Sequence, residues 1–367
     1  MSKNKNGDRF STLLGVAAGA AAAAGYVQFL KQKDEAIQRI GAGSSMMDTA
    51  LGPVEYVDVG DGPVVISAHG ILAGYDQALE CLRPLVDMGF RVIAPSRPGY
   101  LRTPLIKDMS PIGQADFLAA LLDALKIDQA AALIGLSGGG PTAIQFAVRH
   151  AARLKSLVLM CAVTHRIEPN QPDEHLDLRL LRQGIQSDLQ MWLAVQGVLL
   201  TLPLAAPMRN DARVHLLADP ELMAWYRRVI WGVFPSSIRR EGTLIDEGHI
   251  NTLEDLPLEK INLPTLVAHG TADTLVPYEH ATYAAARIPG AKLLTGERGE
   301  HAFFVSQKEQ VWPEVAGHIR SASGAAASAK AQPAKKPVAK KPVAKKPVAK
   351  KAPARPKTTP KRTTQKT

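Results

Sequence analysis

The stretch from Ala130 to Gly140 constrains this chain more than any other. An apolar run, Ala130-Ala131-Ala132-Leu133-Ile134, leads into Gly135-Leu136-Ser137-Gly138-Gly139-Gly140. The run reads as a buried strand, and Ile144, Ala147, Val148 and Ala151 beyond it recur at helical spacing. Strand, tight turn and helix therefore follow one another within about twenty residues. A serine at such a turn is held in a strained backbone conformation with its hydroxyl above the strand. The residues two before and two after must then be small, and Gly135 and Gly139 meet that demand. Taken alone, G-x-S-x-G also fits a glycine-rich turn carrying a solvated serine, so its flanks and its partners elsewhere in the chain decide between the readings.

Before the turn, Val54 to Val59 alternates as a half-exposed strand closed by Gly60-Asp61-Gly62, with Val64 to Ala68 as its hairpin partner. The second strand runs directly into His69-Gly70-Ile71-Leu72. A helix is expected over Gln77 to Met88, and a short strand over Arg91 to Pro95. The turn Ser96-Arg97-Pro98-Gly99-Tyr100 follows, then a helix carrying Leu118, Leu121, Leu122 and Leu125. Beyond the turn helix lies a strand over Leu154 to Ala162. The pattern resumes at Leu263 to Asp273, then a helix from about Tyr278 to Arg287, a strand Ala291 to Leu294, the loop Gly296 to His301 and a closing helix starting near Pro313. Alternating strands and helices imply an α/β fold, a mainly parallel sheet with helices on both faces, whose chemistry lies at the carboxyl ends of the strands.

Residues 166–253 break this alternation. They hold helical stretches, no clear strand, three of the four tryptophans and an apolar run Met191 to Leu204 interrupted by Pro203. They read as an inserted helical cap with its own small core. Trp192, Leu199, Trp225, Trp231 and Phe234 are its candidates for an apolar acyl pocket. The chain thus divides into a basic and apolar start (1–30), a linker (31–50), a core in two parts (51–165 and 254–320), the cap, and a tail (321–367).

The residues quoted above resemble the α/β-hydrolase superfamily, serine-nucleophile and esterase-like branch with a helical cap, over about residues 51 to 320. The resemblance rests on Ser137 in its turn, His69-Gly70, Arg97-Pro98-Gly99-Tyr100, Asp273 in His-Gly-Thr-Ala-Asp, and His301 in the last loop. It implies nucleophile, acid and histidine in that chain order, matched by Ser137, Asp273 and His301. An alcohol needs a base to accept its proton as it attacks, which His301 would supply, and Asp273 would hold the histidine tautomer. The backbone N–H groups of Ile71 and Gly138 would meet the oxyanion. His69 and Gly70 would shape that turn without carrying chemistry. Serine rather than aspartate at the turn points to acyl transfer, most simply of a carboxylic ester on a small-molecule substrate, with carbon–carbon bond hydrolysis as an alternative. No metal-ligand spacing, phosphate loop or dinucleotide fingerprint occurs, so no metal or cofactor is expected. Among other titratable groups, Asp246, Glu247 and His249 read as a surface salt-bridge cluster, His165 as a surface histidine and His269 as structural.

Charge is distributed unevenly. The total is +10, but residues 321–367 hold twelve lysines, two arginines and no acid, so the tail carries +14 and the rest of the chain −4. The tail repeats Ala-Lys-Lys-Pro-Val from Ala334, again at Ala339 and Ala344. Proline in each period and the lack of apolar surface predict an extended disordered segment, similar to the basic tails of linker-histone-like proteins. Such a segment binds polyanions through counterion release, so nucleic acid, an acidic membrane or an envelope polymer are its candidate partners. A polyanion-binding scaffold that does not use its hydrolase chemistry is the competing function class. Two cysteines, Cys81 and Cys161, imply no disulfide framework. Leu13 to Leu30 contains seven alanines, three glycines and one strongly polar residue, Gln28. It reads as a membrane anchor, with a cleaved export signal and a helix packed on the domain as alternatives.

Overall fold

A computed structural model describes residues 5–167, 183–201, 214 and 216–324. The tail beyond Gly324, and with it the expectation of a disordered polyanion-binding segment, lies outside the described residues. So do Leu202 to Leu204 of the apolar cap run.

A long helix, α1 (Lys5–Ala42), comes first. Eight strands follow: β1 (Ser45–Thr49), β2 (Gly52–Val59), β3 (Val64–Ala68), β4 (Arg91–Pro95), β5 (Ala132–Leu136), β6 (Leu157–Met160), β7 (Thr265–Gly270) and β8 (Lys292–Gly296). They form one sheet in the order β1-β2-β4-β3-β5-β6-β7-β8. From β4 to β8 every pairing is parallel, while β1 and β2 are antiparallel to their neighbours. The helices are α2 (Tyr75–Asp87), α3 (Pro111–Ala124), α4 (Gly140–Arg149), then α5 (Asp188–Thr201), α6 (Pro220–Trp231) and α7 (Arg240–Asn251) in the cap, and α8 (Glu279–Arg287), α9 (Phe303–Ser306) and α10 (Lys308–Ala322).

Alternate residues of each strand feed two apolar layers. Val65, Val92, Ile134 and Val158 meet Leu82 and Leu85 of α2 and Trp312 and Ile319 of α10. Ile66, Ile93, Leu133 and Leu159 meet Phe117 and Leu121 of α3 and Ile144 of α4 on the other face. β5 is buried at all five positions, as a central parallel strand covered on both sides must be.

Three expectations are corrected. β2 and β3 are not a hairpin, because β4 lies between them. Gly60 and Gly62, at φ 88° and 109°, tuck their turn beneath the loop before β4. A Cβ on either would run into the carbonyls of Phe90 or Gly89. The supposed linker 31–50 is instead the end of α1 and the edge strand β1. The closing helix begins at Lys308, with Pro313 inside it; one lost N–H near its start is offset by burial of Trp312, Val315 and Ile319. Among the described residues no helix is long and apolar enough to cross a membrane; the side chains of residues 13–16 of the Leu13 to Leu30 stretch lie outside the described residues. The C-terminal part of α1 is packed on the domain, with Phe29, Ala36 and Ile40 buried.

Buried ion pairs hold the cap on the core. Arg239, fully buried, bonds both oxygens of Asp76 at 3.0 and 2.7 Å. Asp246 is not a surface residue. Its carboxylate receives Arg97 at 2.5 Å, Tyr100 Oη at 2.6 Å and Gln114 Nε2 at 3.1 Å. Arg97 and Tyr100 of the Arg-Pro-Gly-Tyr turn thus clamp α7. Removing one member of such a pair strands the other charge in the interior. Asp246→Ala is expected to cost about 3–5 kcal/mol in denaturant unfolding. Asp58→Ala, which breaks the half-exposed Arg91–Asp58 pair, should cost less than about 1 kcal/mol.

Candidate active site

Ser137 sits where β5 ends, at φ 49°, in the left-handed region that costs a non-glycine residue about 1–2 kcal/mol. The surrounding glycines are required by contact. A Cβ on Gly135 would stand 2.6 Å from Ala143 Cβ, and one on Gly139 would run into Ala68 O and stand 2.6 Å from His69 O. The turn is therefore wedged between the end of β3 and the start of α4. Ser137 O accepts the Val163 N–H at 2.9 Å, which ties it to the segment following β6.

The segment after β3 meets the turn from the other side. Ile71 N lies 3.3 Å from the position of a Cβ on Gly138, so the two residues expected to supply oxyanion donors are neighbours. Leu72 is also left-handed, at φ 62°. His69 is fully buried. Its Nδ1 lies 2.8 Å from Gly70 O and its Nε2 accepts the Arg97 N–H at 2.8 Å. These partners fix the Nδ1–H tautomer, since a carbonyl can only accept and an amide can only donate. Burial, reinforced by the Arg97 charge, holds its pKa well below the usual histidine range. A neutral imidazole that staples Gly70 to Arg97 agrees with a shaping role.

Asp273 follows β7 and His301 follows β8. His301 Nδ1 lies 2.8 Å from Asp273 Oδ2. The same oxygen is 3.1 Å from His269 Nε2, and Asp273 Oδ1 accepts the N–H groups of Leu275 and Val276 at 2.9 and 3.0 Å. Burial alone would raise the Asp273 pKa, but the positive charge His301 can carry and the bonds from His269 and His301 outweigh it and hold the carboxyl far below the usual range. The carboxylate is thus a fixed anion set between two histidine nitrogens. Ser137 and His301 make no hydrogen bond to one another in this structure. They are linked through Cys161, whose Sγ donates to His301 O at 3.1 Å and which lies two residues before Val163.

Three groups were missed or under-read in the sequence. His269, read as structural, sets its Nε2 2.9 Å from Val276 O and 3.1 Å from Asp273 Oδ2, so it holds the loop and also lies against the carboxylate; the His-x-x-x-Asp spacing was the available signal. Cys161, at φ 48°, brings a thiol within 4.8 Å of donor atoms of Asp273 and His301. Burial and the Asp273 charge push its pKa well above the ordinary thiol value, and the thiol hydrogen is used on His301 O. The set therefore fits a hydrogen-bonded acid–histidine pair with a packing thiol better than a metal-ligand set. Glu300, next to His301, has both carboxylate oxygens buried without a hydrogen bond. Burial, with a contribution from Asp273, raises its pKa to about 7.

Trp192 and Phe234 are buried in one apolar cluster, with Leu199, Trp231 and Ile71 packed against it. Trp225 belongs elsewhere. It lies in the main core, and its Nε1 donates to Glu80 O at 2.8 Å. His165 stacks on His280 at 3.8 Å between ring centroids and faces an open depression lined also by Glu279 and Tyr283.

Comparison with known proteins places these features in context. The model of the alpha/beta hydrolase fold family matches residues 63–307. The uncharacterised hydrolase YcgS of Bacillus subtilis is 29% identical over 275 residues, 70% of this chain and 91% of its own. A 2-hydroxy-6-oxo-6-phenylhexa-2,4-dienoate hydrolase of Burkholderia cepacia is 25% identical over 262 residues, covering 66% and 83%. Among solved structures, an alpha/beta hydrolase fold protein from Nakamurella multipartita is 32% identical, covers 77% of this chain and 100% of its own, and superposes with a TM-score of 0.67.

Three outcomes are expected. Gly139→Ala places a Cβ against backbone on two sides and should cost about 3 kcal/mol or more, at or above the upper end of overpacking. Gly248→Ala, in α7 with open space around it, should instead stabilise by about 0.5–1 kcal/mol in the same unfolding assay. The folded-state pKa of Glu300 is raised, so its burial costs nothing below pH 4, where folded and unfolded states are both protonated. The cost grows as pH rises through 4.5 and is complete above about 7. Glu300→Gln should therefore match the wild type in stability at pH 4 and exceed it by up to about 3 kcal/mol at pH 8. A difference independent of pH would contradict this.

Proposed function

Because this chain belongs to the alpha/beta hydrolase fold family, and is a hydrolase on that ground, we propose that the bond it cuts is a carboxylic ester, through Ser137, His301 and Asp273. The observation that carries the reading is a left-handed serine at the end of β5 together with a histidine–carboxylate pair 2.8 Å apart beyond β7 and β8. Ser137 Oγ attacks the carbonyl carbon while His301 Nε2 takes the hydroxyl proton, so an O–C bond forms and the carbonyl π pair moves to oxygen. The N–H groups of Ile71 and Gly138 receive that oxyanion, each worth about 3 kcal/mol in rate. As the tetrahedral centre collapses, the ester C–O bond breaks and His301 returns its proton to the leaving alcohol. Water, deprotonated by His301, then attacks the acyl-serine and releases the carboxylic acid. Asp273 stays ionised throughout and stabilises the imidazolium.

The resemblance to a hydrolase of a 2-hydroxy-6-oxo-dienoate favours a second reading, cleavage of an activated carbon–carbon bond. The same oxyanion would form, but the leaving group would be a stabilised carbanion protonated at carbon. Ester cleavage asks less of the residues in place: one base that doubles as acid, and one oxyanion site.

Intact-mass analysis after exposure to a fluorophosphonate should show a single adduct in the wild type and none in Ser137→Ala. Adduct formation should slow by at least about a thousandfold in His301→Ala. Hydrolysis of p-nitrophenyl butyrate should follow the same order. Labelling with no turnover of esters, but turnover of a 2-hydroxy-6-oxo-dienoate, would favour the second reading. No adduct on the folded wild type would remove the serine mechanism altogether.

A further inference from the structure

Helix α1 lies outside the stretch matched by the family model, which begins at residue 63, so family membership gives no account of it. Its residues 17–28 are largely exposed, and from residue 17 onward the first buried side chain is Phe29. From there Phe29, Gln32, Lys33, Ala36 and Ile40 recur at spacings of three and four and form one stripe. Four of its five members make a specific contact, and the fifth, Ala36, is buried. Phe29 is 5% exposed and meets the edges of Trp192 and Phe234, with ring centroids 6.0 and 6.3 Å apart. Gln32 Oε1 accepts the Trp192 indole N–H at 2.6 Å. Lys33 Nζ lies 2.8 Å from Asp188 Oδ2 at the start of α5. That same carboxylate accepts from Ser237 N and Oγ at 2.7 Å. At the far end, Ile40 O accepts the Tyr75 hydroxyl at 2.6 Å, and Tyr75 opens α2 directly after the turn that carries Ile71.

The helix therefore spans two parts that must be in register: cap helix α5 and the Ile71–Gly74 turn. Phe29 shares one apolar cluster with Trp192, Phe234 and Leu72, against which Ile71 also packs. We infer that α1 is a brace that positions α5 over the oxyanion turn, and that Phe29, as part of the apolar wall formed with Trp192 and Phe234, limits the length of acyl group the site admits. The brace part stands on packing alone; the specificity part rests on the esterase reading above. Phe29, Gln32 and Lys33 are positioning residues in this account, as none touches the reacting atoms.

Two measurements on the full chain test it together, with Phe29→Ala, Phe29→Leu and the Gln32→Ala/Lys33→Ala double variant. The first is amide hydrogen exchange. Residues 188–201 should exchange at least tenfold faster in Phe29→Ala and in the double variant, with residues 132–136 of β5 unchanged. The second is the ratio of kcat/KM for p-nitrophenyl octanoate to that for the butyrate. Phe29→Ala should shift it at least tenfold toward octanoate, through KM for octanoate rather than through kcat for butyrate, and Phe29→Leu should stay within threefold of wild type. Unchanged exchange in 188–201 would overturn the brace. Faster exchange with an acyl ratio within twofold of wild type would overturn the role of Phe29 in specificity. Should Phe29→Ala not fold, the double variant carries the exchange test and Phe29→Val the acyl test, with a shift of at least threefold toward octanoate expected and a ratio within twofold of wild type overturning the specificity role. A wild type inert toward both esters and fluorophosphonate would overturn the esterase reading and with it the specificity role, while exchange alone would still judge the brace.

Discussion

The structure depends on the close approach of backbone to backbone around Ser137. Gly139 lies against the carbonyls of Ala68 and His69, and a Cβ on Gly140 would run into Val163 O. These contacts join the ends of β3 and β5 and the segment after β6 with no side chain between them. They leave Ser137 little choice but its left-handed conformation, and packing on both faces of β5 supplies the free energy that holds it there. Strain and packing are thus two aspects of one arrangement, in which Ser137 is held at the end of β5 by a sheet that cannot relax beneath it.

Around that point the chain builds outward through polar groups that are nearly all buried and paired. Asp273 is bonded by His301 and two backbone N–H groups and lies 3.1 Å from His269 Nε2, so the protein itself compensates its charge. Asp246 and Asp76 play the corresponding part for the cap, each taking an arginine that is itself almost completely buried. Burying such charges gains little net stability, but breaking them is costly, and this gives the cap one preferred seat on the core. Glu300 departs from the pattern. Its carboxylate has burial but no partner, so its ionisation falls near neutrality, one residue from the histidine.

The parts legible in the sequence were those governed by local rules. Apolar runs, glycine at Gly135 and Gly139, and the order Ser137, Asp273, His301 located the strands, the turn and the acid–histidine pair. What was not legible depended on long-range pairing. The antiparallel neighbour of β2 is β4 rather than β3, because a turn such as Gly60-Asp61-Gly62 permits a hairpin and a crossover equally well. Asp246 looked like one of several surface charges, since only the fold brings Arg97 and Tyr100 to it across nearly 150 residues of chain. Trp225 and Trp192 had the same claim on an acyl pocket by composition. The fold separates them, giving Trp225 a partner in Glu80 of α2 and Trp192 one in Gln32 of α1. In the N-terminal helix, the stripe Phe29, Gln32, Lys33, Ala36 and Ile40 was hard to see beside an alanine-rich run, because three of its five members are polar or small.

The central claim is that the strained serine, the Ile71 and Gly138 amides and the His301–Asp273 pair act on one carbonyl as a unit. The crystal structure of the phosphonylated protein tests it most directly. The account predicts phosphorus bonded to Ser137 Oγ, with one phosphonyl oxygen about 2.7–3.1 Å from both the Ile71 and Gly138 nitrogens and His301 Nε2 within hydrogen-bond reach of the ester oxygen. An adduct on another residue, or a phosphonyl oxygen turned to solvent away from those two amides, would contradict it.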